Sequence, residues 1–445
     1  MNKRKIILII YENIVREYDN ALLLKAEFER RGYKVRLCYK TESFCLLTDK
    51  IVAVLTPNCY TSENWDFYRY TFAGNGIPLI SLQYEQIISE KIEHTKVHIP
   101  KDKARFAWLF CWGSNCMQRL LANGIDRSKI RICGAVHLDF LREEFRQFYL
   151  TREEIAKRLN LDVDKKWILY ISSFSYVDNR IVTKYLVNEL KDDTFVYDFV
   201  QFSTESQRLT LTWFESFMED HPNSVLIYRP HPMEAENKTI KRIVQEYPQN
   251  FRLISDLNIK QWILVSDVIT TWFSTSAGEV YAAGKPLVVI RPLPFPHEYD
   301  VPFYYDANCV TTYKQLSEML SLANPDCAVK REVMQEYFDI TSTPTYIRIV
   351  DAVINLIDQA DNSKEKFYFW HKIRYMFQKH TISKIIVKKI YQILFFYCGF
   401  KITNPKLRQE FAVSDWERSI KHHKDPVNLD KYKCLQEIVQ ENETK

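Results

Sequence analysis

Two doubly wound α/β domains in tandem, followed by a basic helical appendage, are what the sequence predicts, and three observations predict them. Short apolar runs alternate with helical patterns through most of the 445 residues, the signature of parallel sheets covered on both faces. Two of these runs in the second half end in polar turns, Tyr228-Arg-Pro-His-Pro232 and Ser274-Thr-Ser276, at the carboxyl ends of strands where open sheets hold ligands. From Lys364 the texture changes: residues 364–401 carry nine Lys/Arg against one acidic residue, Glu365, among large apolar and aromatic side chains.

Residues 6–10 read as a buried parallel strand, residues 20–31 as an amphipathic helix ending at Gly32, and residues 34–38 as the next strand. Strands are expected again at 51–55, 77–82, 106–112 and 130–133, with 134–139 as the exit from a first domain spanning 1–150. A polar helix at 151–159 opens the second domain, 151–360, whose strands are 167–171, 224–228, 251–254, 268–271 and 287–290. Residues 361–445 form the appendage, and the polar stretch 425–445 is expected to fray.

Composition closes off several classes. The ten cysteines are scattered without CxxC pairs, so they read as reduced thiols rather than as disulfides or a zinc site. The basic, apolar amino terminus is too short for a signal peptide and runs into Glu12, Arg16, Glu17 and Asp19. No segment reaches the length of a membrane span, which leads us to expect a cytoplasmic protein. The net charge of +5 gathers in residues 364–401, so any acidic partner should meet this one segment; no nucleic-acid partner is expected. That segment has the pattern of a helix lying in a lipid headgroup layer or, alternatively, of a helix packed on the body with its basic face in water.

His231 is held between two prolines at the end of an apolar run, while Ser274, Thr275 and Ser276 lead through Gly278 into a helix beginning near Glu279. An imidazole and a hydroxyl-rich helix start on neighbouring strands suit a nucleotide phosphate, with no metal required. Arg229 is either a second phosphate ligand or a surface charge. Glu279 either takes ribose hydroxyls or complements the helix dipole. Ser172 and Ser173, after the first strand of the second domain, are weaker contributors to the same site. The rigid loop 294–300 follows the last core strand and is expected near the base or sugar of such a ligand, with His297 either structural or functional.

The Tyr228–Pro232 and Ser274–Ser276 stretches resemble the HP and Ser/Thr motifs of inverting GT-B glycosyltransferases that use cytidine-nucleotide donors, among them the bacterial sialyltransferases and Kdo transferases. The CDP-glycerol glycerophosphotransferases are related. The likeness is greatest to bacterial surface-carbohydrate biosynthesis proteins and covers roughly residues 5 to 350. It implies a GT-B plan, two Rossmann-like domains facing a cleft, in which the second binds a CMP- or CDP-linked donor and the first a glycan or glycolipid acceptor. No cofactor or metal is implied. The activity it points to is transfer of a CMP-activated sugar such as Kdo or sialic acid into a surface polysaccharide, at the inner face of the cell membrane. A CDP-polyol phosphotransferase and a nucleotide-sugar 2-epimerase are the alternatives.

An inverting transfer needs a general base for the acceptor hydroxyl. Glu85 is one candidate, in Gln83-Tyr84-Glu85-Gln86, where the related proteins carry an acidic, glycine-terminated motif; the first acid and the glycine are missing here. Asp19 is another, in Arg16-Glu-Tyr-Asp19, which resembles a run in the surface-carbohydrate proteins; its other reading is an N-cap for the following helix. Arg16 suits an anionic acceptor or donor carboxylate.

Overall fold

The computed structural model describes residues 5–40, 51–71, 76–190, 192–360 and 421–442, with isolated positions between 390 and 417. Two compact units emerge, the first formed by 1–86, 98–139 and 339–445 and the second by 87–97 and 140–338.

The first unit is built on a six-stranded parallel sheet: β1 (Ile6–Tyr11), β2 (Lys34–Tyr39), β3 (Ile51–Thr56), β4 (Leu79–Ser81), β5 (Trp108–Cys111) and β6 (Ile130–Ile132), in the order β2-β1-β3-β4-β5-β6. Every residue of β1 is buried, as the unbroken apolar run demands of a strand covered on both faces. The first helix, Ile14–Arg30, starts at an Asn13 cap whose side chain accepts the Arg16 N–H. It therefore begins earlier than the pattern at residue 20 suggested, because Arg16 and Glu17 are helical despite their charge.

The second unit repeats the plan with β7 (Lys166–Ile171), β8 (Ser224–Arg229), β9 (Phe251–Leu253), β10 (Val268–Thr271), β11 (Leu287–Ile290) and β12 (Cys309–Val310), ordered β12-β11-β10-β7-β8-β9 and parallel throughout. β12, two residues long, gives no periodic signal and was not expected. One face of the sheet packs on Phe199, Leu211, Phe214 and Phe217 of the long helix Asp193–Asp220.

The unit boundaries differ from the expected 150 and 360. Asp139 explains why the chain returns after residue 338: its carboxylate accepts the backbone N–H of Thr345 and Tyr346 at 2.9 and 2.7 Å, capping the helix Thr345–Asp358 and binding it to the first unit. Gly134, at φ +89°, passes so close to the Thr345 side chain that a Cβ would collide with it.

The carboxyl-terminal stretch does not fray. The helix Pro426–Glu441 buries Leu435, Ile438 and Val439 and packs against the first helix. Its apolar residues recur at helical spacing; the polar remainder is its solvent face. The basic segment 364–401 lies outside the described residues, apart from isolated positions, and described chain of the first unit stands on either side of it. No described helix is long and apolar enough to cross a membrane.

Candidate functional site

The second unit has the strand order 3-2-1-4-5-6 when counted from β7, so its topological switch point lies between β7 and β10, outside whose carboxyl ends ligands bind in open α/β sheets. Ile171 is level with both Arg229 and Thr271, so the loops after β8, β7 and β10 leave the sheet at one height. His231 and Ser274 are thus not on adjacent strands, as expected, but flank the Ser172–Ser173 loop; two strand spacings put those strand ends roughly 9–10 Å apart, suited to grasping one phosphate group from two sides.

His231 sits in a pinned turn. Glu234 accepts the His231 N–H at 3.0 Å on one oxygen and the Tyr228 hydroxyl at 2.6 Å on the other, and its own N–H donates to the His231 carbonyl at 2.8 Å. Gln207 donates to the same carboxylate at 3.3 Å, and Asn179 donates to the Met233 carbonyl at 2.5 Å. The Met233 N–H donates to His231 Nδ1 at 3.1 Å, which leaves the ring proton on Nε2. His231 is solvent-exposed, yet desolvation by the surrounding protein lowers its pKa below the ordinary value. Both effects favour a neutral imidazole presenting an Nε2–H donor.

The other expected residues separate into those that hold the site and those that face it. Arg229 gives its guanidinium to the carbonyls of Asp256 and Leu257 at 2.7 and 2.5 Å; it fastens the end of β8 to the loop after β9, and is neither a surface charge nor oriented as a free phosphate ligand. Ser172 is buried, its hydroxyl 3.0 Å from the Tyr228 hydroxyl. Ser173 is also buried, but its hydroxyl has no partner among the described residues, which makes it the more available of the two. Glu279 lies in the first turn of the helix Ala277–Ala282, and burial raises its pKa, with Lys260 opposing.

At the Ser/Thr turn the helix-start N–H groups are not free, contrary to expectation. Ser276 N–H donates to Ser274 Oγ at 3.2 Å, Ala277 N–H to the Ser274 carbonyl at 3.3 Å and Gly278 N–H to the Thr275 carbonyl at 3.3 Å. Any anion here must be met by hydroxyls: Thr275 is exposed, the Ser276 side chain makes no cap bond, and Ser274 Oγ still has its own proton to donate. Gly278 is required because a Cβ would fall 2.3 Å from the Phe338 ring.

Sequence reasoning missed Glu234 and Arg291. Arg291 follows β11, is 4% exposed, and donates to Asp300 Oδ1 at 3.0 Å while Phe295 covers it at 3.7 Å. Its Nε and Nη1 have no partner among the described residues, an arrangement that is costly unless a ligand or water fills it. It borders a cavity of about 410 Å³ that Phe295, Asp300, Tyr304 and Tyr305 also line. Tyr304 ties this cavity to the Ser/Thr turn by donating to the Ser274 carbonyl at 2.6 Å. The signal available was a lone arginine between an apolar strand and a proline-rich loop. His297 in that loop stacks on Tyr305 and lies 3.3 Å from Glu90.

In the first unit, Glu85 and Arg16 come together and Asp19 does not join them. Arg16 bridges Glu85 at 3.0 Å and the fully buried Glu17 at 3.1 Å. Glu17 also accepts the Glu12 and Asn13 N–H groups, closing the loop after β1 from inside. Glu85 is half-exposed, with His98 Nδ1 4.0 Å away. Gln83 is held at φ 47°, a strained conformation of the kind found at functional sites. Gln86 is buried and braced to β5, accepting the Trp112 N–H at 2.8 Å and donating to the Phe110 carbonyl at 3.0 Å. The residue in place of a glycine is therefore a strut. Asp19 pairs with Lys431 of the last helix at 3.5 Å. It lies inside the first helix, so it is not the cap, which is Asn13. Among the described residues no cluster of ligating side chains could hold a metal ion.

No protein-family model matches the chain, and no curated protein is significantly similar to it. Solved structures are similar in fold. The UDP-GlcNAc 2-epimerase from Methanocaldococcus jannaschii is 12% identical with a TM-score of 0.52, over 79% of this chain and 99% of that one; in complex with UDP-GlcNAc and UDP the same protein gives a TM-score of 0.50 over the same shares. The wall teichoic acid polymerase TagF, as a variant soaked with CDPG, is 14% identical with a TM-score of 0.48, over 81% of this chain and 90% of that one. With its two six-stranded parallel sheets and their helices, the chain has the two-domain GT-B fold.

Proposed function

We propose that the chain is an inverting, metal-independent glycosyltransferase of surface polysaccharide synthesis that uses a CMP-activated sugar. One observation carries the reading: His231 is locked as a neutral Nε2–H donor on one side of β7 while Ser274, Thr275 and Ser276 present hydroxyls on the other. As the acceptor oxygen bonds to the anomeric carbon, the bond from that carbon to the CMP phosphate breaks and its electrons stay on the phosphate. Donors fixed at that position stabilise the charge as it forms. Glu85 is assigned the proton of the acceptor hydroxyl, with Arg16 keeping the carboxylate in place. The cavity beside Arg291 is assigned the transferred sugar. Residues 364–401 are assigned to the cytoplasmic membrane face, where a glycan or glycolipid acceptor resides.

The test is to incubate the protein with CMP-, CDP- and UDP-linked donors, with and without EDTA, and follow nucleotide release. Release of CMP, unaffected by EDTA, supports the reading. Release of CMP from a CDP-polyol, with the polyol phosphate passing to the acceptor, moves it to polyol-phosphate transfer. A second reading, a nucleotide-sugar 2-epimerase, is favoured by the fold shared with the Methanocaldococcus enzyme; it predicts conversion of UDP-GlcNAc to its 2-epimer in the absence of an acceptor.

A further inference from the structure

At the amino ends of β4, β5 and β6, the edge of the first sheet opposite the loop that carries Glu85, aromatic and cationic side chains are interleaved. Phe106 is 62% exposed, its ring 6.0 Å from that of Trp65. Arg69 lies over Trp65 at 4.5 Å and is fixed there by donating to the Ile77 carbonyl at 2.7 Å. Lys129 and Arg131 both lie over Trp108, at 4.4 and 5.0 Å. Neither of these two has a carboxylate within ion-pair distance among the described residues, and Arg131 is held by the Ser128 and Ile130 carbonyls at 2.9 and 2.8 Å. Burial lowers the Lys129 pKa, with Asp126 opposing and Arg69 and Arg131 adding smaller contributions to the shift. Between these side chains lies a hollow of about 260 Å³.

We propose that this face docks on an anionic lipid surface, with Phe106 entering the headgroup layer and Arg69, Lys129 and Arg131 meeting lipid phosphates. Indole and phenyl rings flanked by cations are what the interface between headgroups and acyl chains selects, and basic residues near such a surface are drawn to its negative potential. The course of the chain supports the same occupant: Gln359 and Ala360 line the hollow, and the stretch that follows in sequence, 364–401, has nine Lys/Arg against one acid. In sequence, residues that line this face are thus followed within a few positions by a second basic stretch. The inference stands apart from the donor reading, since vesicle binding involves no nucleotide.

The full chain is mixed with vesicles of phosphatidylcholine, with and without phosphatidylglycerol, and the bound fraction is measured by flotation at low and high salt. We expect binding only to the anionic vesicles, weakened by salt, falling about fivefold for each of Lys129→Gln and Arg131→Gln and about tenfold for Phe106→Ser, with thermal midpoints unchanged. A second arm replaces 364–401 by a short Gly/Ser linker in the otherwise full chain. If the three substitutions leave binding intact, or if the linker variant binds vesicles more strongly because the segment had covered the patch, the proposal is overturned.

Discussion

The two units share a plan and differ in what their loops carry. Both are six-stranded parallel sheets, but the second turns hydrogen-bond donors outward beyond β7, β8 and β10, whereas the first turns carboxylates outward beyond β1 and β4, where Glu12 is held by Asn58 at 2.9 Å and Lys40 at 2.5 Å and Glu85 by Arg16. Under the proposed function this is a division of labour: donors suit a departing anion, and a carboxylate suits the proton of an incoming hydroxyl. The units also differ in construction. The second is continuous but for 87–97, while the first is completed by chain from beyond residue 338.

That constructional difference yields the largest expected effect. Deleting residues 426–442 strips Leu435, Ile438 and Val439 from the first helix, and at about 1.5–3 kcal/mol for each buried aliphatic side chain the loss is on the order of 5 kcal/mol. We expect the first unit to melt early in calorimetry while the second keeps its own transition. A single unchanged transition would show that the helix is dispensable.

Next come the two chemical roles. His231→Ala should lower turnover about 10²- to 10³-fold and weaken nucleotide binding, whereas Glu85→Gln should lower turnover about 10²-fold or more with nucleotide binding unchanged. If both variants affect binding alike, the proposed division of labour between the units fails.

A pronounced pH effect is expected in the first unit. His423, whose Nε2 is 2.5 Å from the Tyr11 hydroxyl and whose ring stacks on Tyr18, is lowered from 6.5 to about 4 by burial, with His422 and Lys25 adding to the shift. The unfolded chain takes up this proton near pH 6.5 and the folded one only near 4, so the unfolded state binds more protons in between. First-unit stability therefore declines as pH falls through that window, by at most ~3 kcal/mol. His423→Phe should flatten the decline in melts recorded between about pH 7 and pH 4.

The smallest effect sharpens the account of the second unit. Glu234→Gln removes the charge that accepts from Tyr228, His231 and Gln207. It should cost about 1–3 kcal/mol and raise KM more than it lowers kcat, because His231 is displaced rather than deleted. A kcat loss as large as that of His231→Ala, with KM unchanged, would argue against a positioning role.

How much of this the sequence reveals depends on the range of the interaction. The His231 turn was legible because two prolines and an apolar strand are local features, and the Ser274–Ser276 turn because hydroxyls before a helix are local too. Glu234 was not, since its importance comes from Tyr228 and from Gln207, 27 positions away. Arg291 was passed over because nothing local shows that Phe295 and Asp300 close over it. The pairing of Asp19 with Lys431 was not legible because the two are 412 positions apart, beyond any periodicity. The last helix was hidden by a polar composition that concealed a narrow apolar stripe. Arg229 was left between two readings because nothing in sequence tells whether a guanidinium will find loop carbonyls or a ligand.

The proposed function requires that the carboxyl edge of β7, β8 and β10 bind a nucleotide phosphate through His231. Calorimetric titration of CMP into the wild-type chain and into His231→Ala tests it most directly. CMP binding should weaken at least about tenfold in the variant, one charge-assisted hydrogen bond's worth, with the same thermal midpoint. CMP that binds both proteins equally, or neither, would contradict it.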